Sequence, residues 1–189
     1  VLWSFIPSEK KSDPEKDKLL LELLTMVLER GHYSPVAIDD AFSKKVYAKY
    51  LDGIDPTKRF FLQSDIEEFS KYELQIDDMI KRKDLTFFNL TNSRLLQRME
   101  ECRAIYEEVL AAPFDFTTNE NINVDYEKLP YAKNKKELID RWRKQLKLQA
   151  LSTITDKQKL EEDKKSKDAS YRSKSFDVIE KEVRENSLK

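Results

Sequence analysis

An all-α fold is predicted by three features of the sequence. The 189 residues include only 2 glycines, and glycine costs a helix interior about 1 kcal/mol relative to alanine. Apolar residues recur at three- and four-residue spacing through most of the chain, the period of one helix face. Helix starts are marked by capping residues and helix stops by glycine or proline. Together they describe an irregular multi-helix domain with one long ordered loop and a charged helical arm at the C-terminal end.

The first seven residues, Val1 to Pro7, are apolar and give way abruptly to charge. They read either as a frayed terminus or as the remnant of a signal or anchor segment, with residues 1–13 set apart from the domain. Ser12, Asp13, Pro14 and Glu15 then form a helix start, with a capping residue, proline in the first turn and acids at the positive helix end. Leu20, Leu23, Leu24, Val27 and Leu28 mark its apolar side, and Gly31 its stop. His32-Tyr33-Ser34-Pro35 turns the chain. A second helix is expected from about Ile38 to Asp52, with Phe42, Val46, Tyr47, Tyr50 and Leu51 inward; Asp55-Pro56 forbids its continuation.

Ser64-Asp65-Ile66-Glu67 is spaced as a capping box, opening a helix marked by Ile66, Phe69, Ile76 and Ile80. The longest pattern follows, Leu85 to Leu110, through Phe88, Leu95, Met99, Cys102, Tyr106 and Val109. Pro113 ends it. The stretch from Pro113 to Trp142 lacks helical periodicity in its first twenty residues, and loops of that length in compact domains are usually functional or disordered. Phe114 and Phe116 alternate around Asp115, which argues for a packed excursion. Asn134 and Glu137 are spaced as a second capping box, starting a helix that buries Leu138, Trp142 and Leu146. The domain is placed at residues 14–151. Residues 152–189 are read as a solvated helical arm, interrupted near Ser166 to Ser175, whose last apolar stripe (Phe176, Val178, Ile179, Val183) calls for a partner outside this chain.

Composition narrows the chemistry. Formal net charge is -1, so there is no global electrostatic footprint for nucleic acid. A single cysteine excludes an intrachain disulfide. His32, the only histidine, follows a helix-terminating glycine and is read as a structural group near the last carbonyls. Cys102 shares a helix face with Leu95, Met99 and Tyr106 and is read as a buried inert thiol. The acid pairs Asp39-Asp40, Asp77-Asp78 and Glu100-Glu101 sit on adjacent helix positions about 100° apart, so the two acids of a pair cannot both face one site; they read as solvated faces. No glycine-rich phosphate loop is spelled. The expected site residues are therefore none: no catalytic, cofactor-binding or metal-binding set, and no cofactor.

Three stretches resemble the N-terminal helical domain of tail-specific proteases, the carboxy-terminal processing peptidases of bacterial envelopes. HYSPVAIDDAFSKKVYAKYLDGID is similar to the family's histidine-tyrosine turn and second helix. FFLQSDIEEF is similar to its leucine-x-serine-aspartate helix start. FDFTTNENINVDYEKLPYAKNKKELIDRWRKQLK resembles its most recognisable segment. The resemblance runs from about Leu19 to Leu151. It implies a non-catalytic N-terminal domain of a periplasmic or cell-envelope serine endopeptidase that recognises apolar C-terminal tails. In that family the domain precedes a PDZ domain and a protease core whose lysine acts as general base for a serine nucleophile. The implied partners are that core in cis, tail-bearing protein substrates and an adaptor protein, with membrane association through the N-terminal leader as a further expectation. The arm after Leu151 would then be the tether toward the core. The competing reading is a free-standing helical protein-binding module with no peptidase attached.

Overall fold

A computed structural model describes residues 13–27 and 37–188. Seven α-helices are present among the described residues: α1 (Pro14–Met26), α2 (Asp40–Ile54), α3 (Gln63–Phe69), α4 (Ile76–Arg82), α5 (Thr86–Leu110), α6 (Lys135–Lys167) and α7 (Phe176–Ser187). The all-α expectation is met, and among the described residues the isolated β-bridge is a parallel one between Leu62 and Ala132. Val1 to Pro7, Gly31 and His32 lie outside the described residues.

The chain divides into two compact units. The first takes Val1–Ile54 and Glu67–Asn92, and the second takes Asp55–Ile66 and Ser93–Lys189. Phe87 is the aromatic hub of the first, with the rings of Tyr50, Tyr72 and Tyr47 at 5.5, 5.6 and 5.7 Å and Phe69 edge-on at 6.4 Å. The apolar pattern nominates Phe88, but Phe88 is 43% exposed and Phe87 is 7% exposed. Adjacent residues point about 100° apart on a helix, so only one of the two can face the tyrosines of α2. Ser43 and Asp77 are both buried and bond reciprocally. The Ser43 hydroxyl donates to Asp77 Oδ1 at 2.8 Å and accepts from the Asp77 N–H at 2.8 Å, while Lys81 Nζ lies 2.9 Å from Oδ2. Asp77 is thus a structural acid beneath a helix junction, correcting its reading as a solvated face.

The single helix expected from residue 64 to about 80 is divided. α3 tightens into a 3-10 turn at Ser70–Tyr72 before α4 begins. Side chains take over main-chain carbonyls there: the Ser70 hydroxyl donates to Glu67 O and Gln75 Nε2 to Lys71 O. This local competition favours turns over regular helix. α4 ends at Lys83 in the left-handed conformation (φ 55°), with the N–H of Asp84 reaching back to Met79 O at 2.8 Å. That is the closure glycine usually provides, and here a lysine takes it, so no glycine marks the stop.

In the second unit one core gathers Cys102, Ile105 and Leu110 of α5 with Ala132 and with Leu138, Trp142 and Leu146 of α6. A second core forms where α6 and α7 pack as a hairpin: Ala150 and Ile154 against Ile179 and Val183, with Phe114 and Phe116 alongside. α6 passes through Leu151 unbroken. Ile179 and Val183 of the α7 stripe are therefore covered by this chain's own helix and loop, while Phe176 and Val178 stay 38% and 46% exposed. The charge-dense middle of α6 hid that pairing, because only Ala150 and Ile154, one turn apart, carry it.

Candidate functional site

Phe114-Asp115-Phe116-Thr117-Thr118 folds on itself. The Asp115 carboxylate accepts from the Thr117 N–H at 2.9 Å and from the Thr117 and Thr118 hydroxyls at 2.6 Å each. Those donors hold it far below the usual carboxylate range. The turn leaves both phenylalanines on one side, 6.0 Å apart, with Phe176 edge-on to Phe116 at 5.6 Å. Further on, Glu120 takes Arg143 and Lys147 of α6, and these cations draw its pKa down to about 2. The excursion is therefore packed, as the alternation predicts.

Its far end returns to α6 through a cap. Asn134 Oδ1 accepts from the Glu137 N–H at 3.0 Å, and Glu137 reaches back to the Lys133 N–H at 2.9 Å. The spacing of the second capping box is right, with the return bond one residue earlier than expected. The first box differs more. α3 begins at Gln63, and the group reaching back is Asp65, whose Oδ2 accepts from the Leu62 N–H at 2.9 Å. Asp65 is fully buried. Arg98 grips it through two bonds of 2.9 Å, Arg94 adds a third contact, and Arg98 also binds Glu101 at 2.7 Å. Burial raises its pKa, but the arginines and the Leu62 donor outweigh burial and bring it below the usual range. Glu101, too, is an ion-pair partner and not a free surface acid.

The Asp55–Phe61 turn is a third bonded centre in the unit. The Asp55 carboxylate is fully buried and accepts from the N–H groups of Arg59, Phe60 and Phe61 at 2.9, 3.1 and 3.0 Å. Burial pushes its pKa up against the pull of those donors. The turn presents the Arg59 carbonyl to two donors: Trp142 Nε1 at 2.9 Å and Cys102 Sγ at 3.6 Å. Burial pushes the Cys102 thiol up to about 11, consistent with the inert reading, since a reactive cysteine needs its thiolate. Lys58, with φ 49°, donates from Nζ to the carbonyls of Glu127 and Leu129 at 3.1 and 2.7 Å. A cleft of about 360 Å³ opens beside this turn, walled by residues 121–130 and floored by α6 from Glu137 to Gln145. Sequence patterning could not find it, because Arg59 and Trp142 are 83 positions apart.

These acids and cations hold one another and the backbone. No group of three or more His, Cys, Asp or Glu side chains is placed for a metal among the described residues. No described helix is long and apolar enough to cross a membrane. The second unit presents a polar cleft. In the first unit, α1 carries a row of exposed apolar side chains from Leu19 to Val27, each 46–60% exposed apart from the half-buried Leu21.

Residues 24–188 match the family model described as tail specific protease N-terminal domain. A tail-specific protease of Haemophilus influenzae is 29% identical over 130 residues, a stretch covering 65% of this chain and 19% of that relative. The matched region thus spans about a fifth of the relative's length.

Proposed function

This chain belongs to the tail-specific protease N-terminal domain family, and we propose that it serves as the non-catalytic N-terminal domain of a periplasmic, PDZ-containing serine endopeptidase acting on protein C-terminal tails. In this reading the chemistry belongs to a serine and a lysine elsewhere in the protein, and this segment shapes substrate access and docks the core or an adaptor. The observation that carries the reading is the family match over residues 24–188. Two structural features support it. Three acids of the second unit are engaged by the fold: Asp55 and Asp65 hold backbone donors, Asp65 also holds Arg94 and Arg98, and Glu120 holds α6. The exposed apolar row on α1 exceeds the scattered surface leucines expected of an isolated globular domain.

The test removes residues 1–151 from the full-length protein. The truncated protein is then assayed for folding, for cleavage of a reporter bearing an apolar C-terminal tail, and for cleavage of the same reporter with a charged tail. Loss of discrimination between the reporters, or loss of processing by a core that still folds, is expected. Unchanged folding, choice and rate would refute the reading. Fractionation of cells expressing the full-length protein tests the envelope assignment.

A further inference from the structure

We propose that the cleft beside the Asp55–Phe61 turn binds an extended peptide through an acidic side chain seated on Arg59; the inference deepens the docking role above and rests on it. Arg59 Nε is engaged by Thr57 Oγ1 at 2.6 Å, and the guanidinium lies over the Trp142 ring, 5.7 Å from its centroid. Its two Nη groups have no hydrogen-bond partner among the described residues. With Nε engaged, the edge left for an anion is the end-on Nη pair, the arrangement that grips a carboxylate with two parallel bonds. Asp55 behind it makes no hydrogen bond to the guanidinium, because its oxygens hold three backbone donors, and acts on Arg59 only through space.

The charge balance of the lining fits an anion. Lys58, Arg59, Arg141 and Lys144 line the cleft against Glu137 and Asp140. Each acid is paired to the cation four residues on along α6, and Lys58 meets two neutral carbonyl oxygens and the Tyr131 ring. The lining side chains carry a surplus of two positive charges, which the Asp55 carboxylate behind Arg59 reduces to one. The shape fits a peptide. The floor from Glu137 to Gln145 is about 12 Å long at 1.5 Å per helical residue, room for three or four extended residues at about 3.3 Å each. Asn121 and Gln145 bring amides without side-chain hydrogen bonds among the described residues, suited to a passing backbone, and Leu129 with Pro130 gives an apolar wall. Trp142, on which Arg59 rests, lies inside this floor and not at its end. A carboxylate held there has chain on both sides, so the occupant is an internal Asp or Glu and not a chain terminus.

The experiment titrates the 189-residue chain, ¹⁵N-labelled, with three seven-residue peptides. The first carries one central Glu with both ends capped, the second Gln in its place with both ends capped, and the third Gln with a free C-terminal carboxylate. Saturable shifts of the Trp142 indole N–H and the Arg59 amide are expected with the first peptide, with binding by the other two roughly tenfold weaker or less. Arg59→Gln should abolish the difference between the Glu and Gln peptides. The comparison on the unmodified chain stands even if that variant folds poorly. Equal binding of the two capped peptides, no shift with the Glu peptide at roughly millimolar concentration, or preference for the free terminus would each overturn the proposal. A domain deletion that spares tail-dependent cleavage would refute the docking role and leave a measured peptide affinity standing, so the two failures are distinguishable.

Discussion

Trp142→Ala tests whether the long connection and α6 are packed as one body. The indole is 6% exposed, with Phe60 at 6.2 Å, Tyr106 edge-on at 6.4 Å and the Arg59 guanidinium over its face. Truncating a buried tryptophan to alanine costs about 3–5 kcal/mol, covering both lost transfer energy and the cavity left behind. The lost N–H also removes the stronger of two donors on the Arg59 carbonyl, so the upper half of that range is expected. For a chain of this size the shift corresponds to a melting point lowered by about 8–20 °C. Trp142→Phe separates the two contributions. It keeps most of the apolar body and loses the hydrogen bond, so about 1–2 kcal/mol is expected. Urea denaturation followed by circular dichroism reads both variants. If Trp142→Ala costs less than about 0.5 kcal/mol, a value usual for surface changes, the indole is not the core residue described here. Equal losses in the two variants would mean that the hydrogen bond, and not packing, carries the effect.

Asp65→Asn should cost about 3–5 kcal/mol by leaving Arg94 and Arg98 around a neutral, mostly buried amide, read by the same denaturation; a neutral result would mean the arginines relax into water. In the native chain the folded pKa of Asp65 is lowered. Its stabilising contribution is thus fully present above the unfolded value of about 3.9 and is lost as pH falls through the folded one, a loss that should be absent in Asp65→Asn. Glu161 behaves alike at the α6–α7 turn. The Lys174 N–H, Lys164 and the Tyr171 hydroxyl bring its pKa down to about 2, so the hairpin should loosen only below the ordinary glutamate range, with hydrogen exchange near Tyr171 rising as pH falls toward 2 and Glu161→Gln flattening that profile. Cys102 should resist a thiol reagent at about pH 8 until the chain is unfolded; fast labelling of the native chain would contradict its burial.

The legible parts of the fold share a physical cause. Asn134 with Glu137, Asp13 before Pro14, and Leu138, Trp142 and Leu146 are local signals, satisfied within a turn or two of helix, and each appears in the structure where the pattern places it. The Phe-Asp-Phe alternation belongs with them, because Asp115 bonds only its neighbours Thr117 and Thr118. The illegible parts are settled by distant partners. Asp65 meets Arg98 across 33 positions, Ser43 meets Asp77 across 34, and Arg59 meets Trp142 across 83. A buried acid and a solvated acid on a helix look identical until the partner is placed, which is why Asp77 and Glu101 read as surface.

The C-terminal segment shows how composition can mislead about packing. From Leu151 onward the chain is rich in lysine and glutamate, and a continuous apolar stripe is missing, so a solvated arm is the natural reading. Yet α7 is fastened at several points. Arg184 donates to the carbonyls of Leu110 and Ala111 at 3.0 and 3.4 Å, closing the end of α5, and Glu180 accepts from the Phe114 N–H at 3.4 Å. The Tyr106 hydroxyl donates to Ser187 O at 2.6 Å. Charged residues here cap a helix end and hold a loop, roles that hydropathy counts as exposure. Phe114 and Phe116 supply the apolar surface that α6 lacks at that level. The stretch that looks like an anomaly between two helices thus completes the apolar contact that Ala150 and Ile154 begin with the last helix.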